Sequence, residues 1–356
     1  MTWRPIHVQG SMPVPHPSIA IDLLASRFGN RMDACPHGEA KRPGWVIEIA
    51  EARAGNPNLI TVRRSRMSEP IPLRPLLHPP RYIPRPGTKI TGDMLELPYA
   101  AEAAASYPIL KRMIEKYSLR DIPPQYGIPD PLNLAGFSWL NPLRHYDADA
   151  DAALREVNSI WEITDGHVLY QLEIPCQTYA VAKAPRRYQS AVARHLAQRI
   201  AQFIERTPVG SAWTVHLCVG NKNDEPLIDL ENTEPLVTLV NELAYYWPTT
   251  QELTSMSLPF GSRIRPVPLT ADYYAALSDL HLPPGIQLTA GLVRGDIAPH
   301  APNWGDWVDH HLRARDRIER VADRGLWKIS TPCGWSRAPA TLEATMQLLV
   351  TLADTA

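Results

Sequence analysis

Long apolar runs are missing from this 356-residue chain, and no stretch approaches the ~18–20 consecutive apolar residues that a membrane-spanning helix needs. The amino terminus, MTWRPIHVQGSMPVPHPS, lacks the basic-then-apolar order of a signal peptide, so a cytoplasmic protein is expected. An excess of one charge is missing too. With 36 Lys+Arg against 37 Asp+Glu, the net charge of −1 offers no electrostatic reason to expect nucleic acid or a membrane as a partner. The short cluster Arg63-Arg64-Ser65-Arg66 reads as a solvated face. No GxGxxG and no GxxxxGK[ST] loop occurs, so the common phosphate cradles of nucleotide-binding folds are absent. Cysteine is scarce. The four residues Cys35, Cys176, Cys218 and Cys333 are far apart in sequence, which argues against a disulfide framework.

What the chain does have is an ordinary globular apolar content, 44%, and 36 prolines concentrated rather than scattered. The stretch SEPIPLRPLLHPPRYIPRPGTK (68–89) cannot be helical, because each proline removes a donor and restricts its predecessor. It reads as a long extended excursion, and long loops of this kind usually serve function. Elsewhere short β-rich runs alternate with amphipathic stretches. The candidate strands are 3–11, 31–36, 123–130, 167–175, 212–220, 253–259, 285–293 and 326–332. The candidate helices are 16–28, 97–117, 149–162, 187–206, 233–246, 270–280 and 304–324. In 187–206, apolar residues recur at spacings of three and four, the period of a one-sided helix. The aspartates of HYDADADAA (145–153) read as a helix start, where acids favour the dipole.

Eight strands alternating with helices predict a single-domain α/β fold, a (β/α)8 barrel of parallel strands, with a doubly wound open sheet as the competing layout. The segment 44–64, with GWVIEIAEA and NLITVRR around Gly-Asn-Pro-Asn, reads as an inserted hairpin. Together with the proline-rich excursion it makes 44–96 an insertion after the second strand and a candidate lid.

The unusual residues gather at strand ends. All four cysteines fall at or near carboxyl-terminal ends of candidate strands, with His7, Ser11, His37, Glu39, Glu173, His216 and Arg337 close by. In a barrel those ends converge on the face where active sites are built. His216-Leu217-Cys218 puts an imidazole and a thiol on one side of a strand end, the donor types that zinc prefers. A third ligand, Cys333 in STPCGWSR, has to reach across the mouth, because the eighth strand closes beside the first. Spacing leaves a second reading open, a buried histidine beside an inert thiol. Cys35 and Cys176 read as packing thiols, and His310-His311 as solvated helix residues.

The ordered set of motifs resembles the catalytic half of cobalamin-independent methionine synthase, within the uroporphyrinogen decarboxylase/methionine synthase-like superfamily of barrels. The residues that carry the resemblance are Gly10-Ser11, His37-Gly38-Glu39, DPLNLAGFSWL (130–140), YQLEIP (170–175), His216-Leu217-Cys218 and Pro332-Cys333-Gly334. The stretches HVQGSMP, PHGE, HLCVGN and TPCG are similar to those of single-barrel relatives of that synthase. The resemblance implies zinc held by His216, Cys218 and Cys333. It implies substrate contacts from Gly10, Ser11, His37, Glu39, Glu173 and Trp139. Two departures stand out. Ile174 replaces the second acid of the strand-four pattern, and LTSMSLPFG has Ser257 near the place of a glutamate zinc ligand.

The expected chemistry is a zinc-dependent methyl or alkyl transfer to a small-molecule thiol, with a separate methyl or alkyl donor as co-substrate. The alternatives are a metal-free lyase or decarboxylase of the same superfamily, with Arg294 and Arg337 as anion-binding candidates, and a non-catalytic barrel with a residual zinc site. Neither the thiol, the donor nor the oligomeric state is legible in the residues.

Overall fold

The computed structural model describes residues 3–40, 44–64, 79–220, 226–261, 266–293, 303–323, 325, 328–335 and 339–355. Its strands are β1 (Cys35–Pro36), β2 (Leu59–Arg63), β3 (Arg81–Pro84), β4 (Pro124–Pro129), β5 (Leu169–Glu173), β6 (Ala212–His216), β7 (Glu252–Pro259), β8 (Gln287–Gly291) and β9 (Lys328–Ser330). The helices are α1 (Pro17–Phe28), α2 (Val46–Ala52), α3 (Tyr99–Tyr117), α4 (Pro131–Ser138), α5 (Pro142–Thr164) and α6 (Pro175–Lys183). They continue with α7 (Arg186–Glu205), α8 (Glu234–Tyr246), α9 (Ala271–Tyr274), α10 (Trp304–Ala322) and α11 (Leu342–Asp354). None is long and apolar enough to cross a membrane.

Seven strands form one curled parallel sheet in the order β1-β4-β5-β6-β7-β8-β9, and β2 pairs antiparallel with β3 in a separate ribbon. The expected first strand, 3–11, pairs only at Ile6, which forms parallel bridges to Met32 on one side and Ile329 on the other. Pro5 contributes no N–H there, yet its carbonyl accepts from Ile329 while His7 N–H donates back to Ile329. The amino-terminal segment thus spans the two edges of the sheet through a few backbone bonds.

The inserted hairpin is present with different arms. GWVIEIAEA forms α2, and NLITVRR pairs instead with Arg81–Pro84 across residues 65–78, which lie outside the described residues. Val46, Ile49 and Ala50 are the buried positions of α2. Their spacing of three and four is helical, so the apolar run has the wrong period for a strand. The middle of the lid expected of 44–96, residues 65–78, lies outside the described residues. Helix α5 begins at Pro142, so the DADADAA aspartates stand inside it; Asp149 is buried and paired with Arg53. Helices α4, α6 and α11 were not legible as periodic segments in the sequence.

The two faces of the sheet differ in chemistry because side chains alternate along each strand. Toward the helices stand Tyr126, Ile128, Tyr170, Leu172, Trp213, Val215, Met256 and Ile329, all in the apolar core. Tyr170 stacks on Trp213 at 4.7 Å and donates its hydroxyl to Val157 O of α5 at 2.8 Å. Truncating such a fully buried Trp213 to alanine costs about 3–5 kcal/mol.

The inner face carries polar side chains where (β/α)8 barrels commonly stack branched apolar ones. Gln171 Oε1 accepts from Gln125 Nε2 at 3.0 Å and lies 3.1 Å from His7 Nε2. Asp33 pairs with Lys328 at 2.6 Å and with His7 at 3.4 Å. Burial alone would raise Asp33, but Lys328 and His7 outweigh it and hold the carboxyl well below its usual range. Gln9 Nε2 donates to Ser257 and Ser330, and Thr214 meets Ser255 at 2.8 Å. Mutual pairing is what makes so many buried polar groups tolerable.

Candidate functional site

The strand register sets the site. Glu173 closes β5, His216 closes β6, and the two are direct partners across the parallel pair. Two residues on, beyond the end of β6, Cys218 is buried, and Cys333 enters from the turn after β9. Their sulfurs are 3.7 Å apart. His216, Cys218 and Cys333 each offer one ligand atom, and the three atoms lie within 4.8 Å of one another. Cys333 therefore reaches across the mouth, as its chain position requires.

Around this trio stand four of the expected substrate residues, Gly10, Ser11, Glu39 and Glu173. A Cβ on Gly127 would sit 2.9 Å from both Glu39 Oε1 and Glu173 Oε1, so the two carboxylates lean over the same bare spot on β4. Gly10, at φ +111°, abuts Glu39 in the same way, with 2.9 Å between its would-be Cβ and Glu39 Oε1. A Cβ on Gly334 would fall 2.2 Å from Ser11 Oγ, and Trp335 N–H donates to Ser11 O. Glycine is required at these close approaches because any side chain would occupy the acids' or the serine's place.

The trio's electrostatics suit a cation. The neighbouring Cys333 thiol, then burial, push the Cys218 thiol well above its ordinary range, and Glu173 adds to this; the Gly220 N–H on the sulfur, at 3.3 Å, works the other way. Two thiols this close resist ionising unless a positive charge joins them. His216 is 4% exposed, and its Nδ1 has no hydrogen-bond partner among the described residues. A buried ring nitrogen without a partner is costly and calls for one. Two sulfurs and one imidazole are a zinc-type donor set, so the residues fit that metal. Ser257 stands beside His216 in the β6–β7 register, but its hydroxyl accepts from Gln9.

Two expected site residues are not brought to this ring. His37 lies against Tyr126, on the helix-facing side of β4, and pairs with Glu102 of α3 at 3.7 Å. Trp139 is fully buried in a second cluster under the β2–β3 ribbon, with Tyr82, Leu59 and Ala152. Its indole donates to Asp149 at 2.6 Å, and Arg53 lies over its ring. It follows α4 as the C-cap, so the helix carries it away from the mouth. The lyase candidates Arg294 and Arg337 lie outside the described residues. His311 is buried and bonded to Trp307 O, and His310 to Val267 O, so neither ring is simply solvated.

Two residues at the ring were missed. Trp45 donates its indole N–H to Glu173 Oε2, and Gln171 donates to Glu173 Oε1 at 3.3 Å. Gln171 had a signal, a polar residue two before an acid on the same strand face. Trp45 had none once GWVIEIAEA was read as a strand.

No family model matches the chain, and no curated protein sequence matches it. Solved structures do. A methyltransferase from Methanosarcina mazei matches with TM-score 0.55 at 13% identity, covering 99% of this chain and 94% of that one. A B12-independent methionine synthase from Shewanella sp. W3-18-1, in complex with selenomethionine, matches at 0.54 and 12%, covering 97% of each. A candidate vitamin-B12-independent methionine synthase from Listeria monocytogenes matches at 0.53 and 12%, covering 95% of this chain and 86% of that one. The chain has the fold of these methionine synthase-like proteins. At such identities the methionine synthase-like fold is what is shared, and the chemistry has to come from the site itself.

Proposed function

We propose that this protein is a zinc-dependent transferase that alkylates a small-molecule thiol, with zinc held by His216, Cys218 and Cys333. The observation that carries the reading is the trio itself: three donor atoms within 4.8 Å, in a buried corner where His216 Nδ1 has no hydrogen-bond partner among the described residues. Structural zinc sites are closed by four protein ligands, whereas catalytic ones keep a position open beside three. Three protein ligands are the catalytic count, and we read the trio as a site of that kind. Zinc bound there would lower the pKa of a substrate thiol and keep it a nucleophilic thiolate near neutral pH.

The chain's own residues do the remaining work. Glu39 and Glu173, converging over Gly127, accept hydrogen bonds from a polar group of the thiol substrate and fix its direction. Ser11 is held by Gly334 and Trp335 beside Cys333, where its hydroxyl borders the substrate's sulfur end. We take residues 5–8 as the eighth stave of a (β/α)8 barrel, which gathers Gly10-Ser11 and the β9 turn at one mouth. A second small molecule with an alkyl group on a good leaving group serves as donor. Nothing in the site calls for nucleic acid or membrane.

The test is the zinc content of the purified wild type beside His216→Ala and Cys333→Ser. The wild type is expected to hold zinc and both variants to lose it. Full metal retention in both variants removes the mechanism.

A further inference from the structure

Five non-glycine residues among those described have positive φ. Three of them, Ser118, Asp165 and Asp323, are the left-handed C-caps of α3, α5 and α10, where that conformation ends a helix. The other two, Glu39 and Trp45, end no helix, and both direct a side chain to the ring at the mouth. Trp45 is the more strained. Its φ 57°, ψ −132° is the mirror-image region that glycine alone enters readily, and a bulky side chain there is an outlier. The same backbone conformation, φ 55°, ψ −134°, occurs at the end of α1, and there the residue is Gly29.

The chain thus uses glycine where only the backbone shape matters and tryptophan where a side chain is needed. The Trp45 ring packs on the edge of the apolar core, but its aromatic contact does not single out tryptophan. The edge-on contact of the Trp45 ring with Phe137, at 5.9 Å, would be made equally by phenylalanine. Trp45 also provides no side-chain cap for α2. What tryptophan adds to a phenylalanine ring is the indole N–H, and that N–H donates to Glu173 Oε2. Gln171, anchored in the inner-face network, donates to the other oxygen. Glu173 is therefore clamped from two sides, with Oε1 turned toward Glu39 over Gly127.

We infer that Trp45 is a positioning residue: its strained backbone brings the indole N–H onto Glu173 and fixes that carboxylate to read a hydrogen-bond donor on the thiol substrate. This rests on the thiol-binding reading above, in which Glu173 accepts a hydrogen bond from a polar group of the substrate; what is added is the residue that holds the carboxylate in place. A site built to accept such a bond discriminates against the analogue that lacks it.

The test uses the full chain loaded with Co2+ in place of zinc, whose absorption reports sulfur binding directly. The probes are 2-aminoethanethiol and ethanethiol, which share the two-carbon thiol and differ in the terminal amine. The wild type is expected to prefer the aminothiol by at least about tenfold, the worth of one charge-assisted hydrogen bond. In Trp45→Phe the preference should shrink to within about threefold, with cobalt content and ethanethiol affinity unchanged. Trp45→His, which restores a ring N–H, should recover part of it. An undiminished preference in Trp45→Phe overturns the inference. If Trp45→Phe does not fold, Glu173→Gln carries the test: the preference should vanish, and its survival overturns the inference as well. A wild-type cobalt spectrum that responds to neither thiol refutes the thiol-binding reading instead.

Discussion

Cys35 and Cys218 are both buried and both stand beside parallel strands, yet their surroundings give them opposite prospects. At Cys35 burial alone pushes the thiol up to about 12, and its sulfur lies 3.8 Å from the carbonyl of Pro36. Cys176, in the first turn of α6, is likewise pushed to about 12, by burial first and then by the nearby Asp130, with Arg81 opposing. Cys218 is raised chiefly by a second thiol and shares its corner with His216, whose Nδ1 has no hydrogen-bond partner among the described residues. Burial by itself silences a thiol. Burial beside another thiol and a histidine creates a place that only a cation makes comfortable.

The widest gap between the two pairs should be in metal binding. Structural zinc sites are worth ~10–16 kcal/mol over all their ligands, so losing one of three should cost about 4 kcal/mol, roughly a thousandfold in affinity. Cys218→Ser is expected to lose zinc on that scale in chelator competition, while Cys35→Ser and Cys176→Ser keep it. Equal loss in Cys176→Ser would dissolve the distinction.

Thiol reactivity should separate the pairs nearly as far. With pKa near 12, Cys35 and Cys176 are raised about three units above an ordinary thiol, so their thiolate fraction falls about a thousandfold. Maleimide labelling of the folded protein at pH 8, followed by mass spectrometry, should leave both unmodified until urea is added. Rapid labelling of Cys35 in the native state would show that its burial is not maintained.

The environment of Cys176 should also be legible in stability. Burial raises Asp130 to about 7, against the Leu132 N–H and Gln177, which favour the charged form. A carboxyl raised on folding binds its proton more tightly in the native state. Its contribution is therefore complete below about pH 4 and is lost as pH rises through 7. Between pH 5 and 8 the wild type should lose roughly 3 kcal/mol more than Asp130→Asn in urea unfolding. Parallel pH profiles would mean that Asp130 is more solvated than its surroundings imply. The smallest effect belongs to Cys35→Ala, a modest loss of about 1 kcal/mol measured by thermal unfolding with no change in bound metal.

Much of the architecture was readable from local pattern. From 123–130 onward, every candidate strand overlaps an observed one, because strands covered by helices keep an apolar residue at every second position. The failures have physical causes as well. GWVIEIAEA is apolar enough for a strand, but its buried positions follow the helical period. Trp139 belongs to a motif that reads as part of the mouth, yet the end of α4 turns it toward Asp149 and Arg53. His37 sits next to Gly38 and Glu39, and a backbone with two successive positive φ values separates its direction from that of Glu39.

What the sequence by itself determined is the inventory and its order: alternating strands and helices, a net charge near zero, and a histidine–cysteine pair with a distant third ligand candidate. Tertiary structure alone decided which of those groups meet. Strand register places Glu173 beside His216, the turn after β9 brings Cys333 to within 3.7 Å of Cys218, and the bare surface of Gly127 lets two carboxylates converge. These are contacts between residues far apart in the chain, Cys218 and Cys333 by 115 positions, set by sheet curvature and side-chain alternation, and no local pattern encodes them.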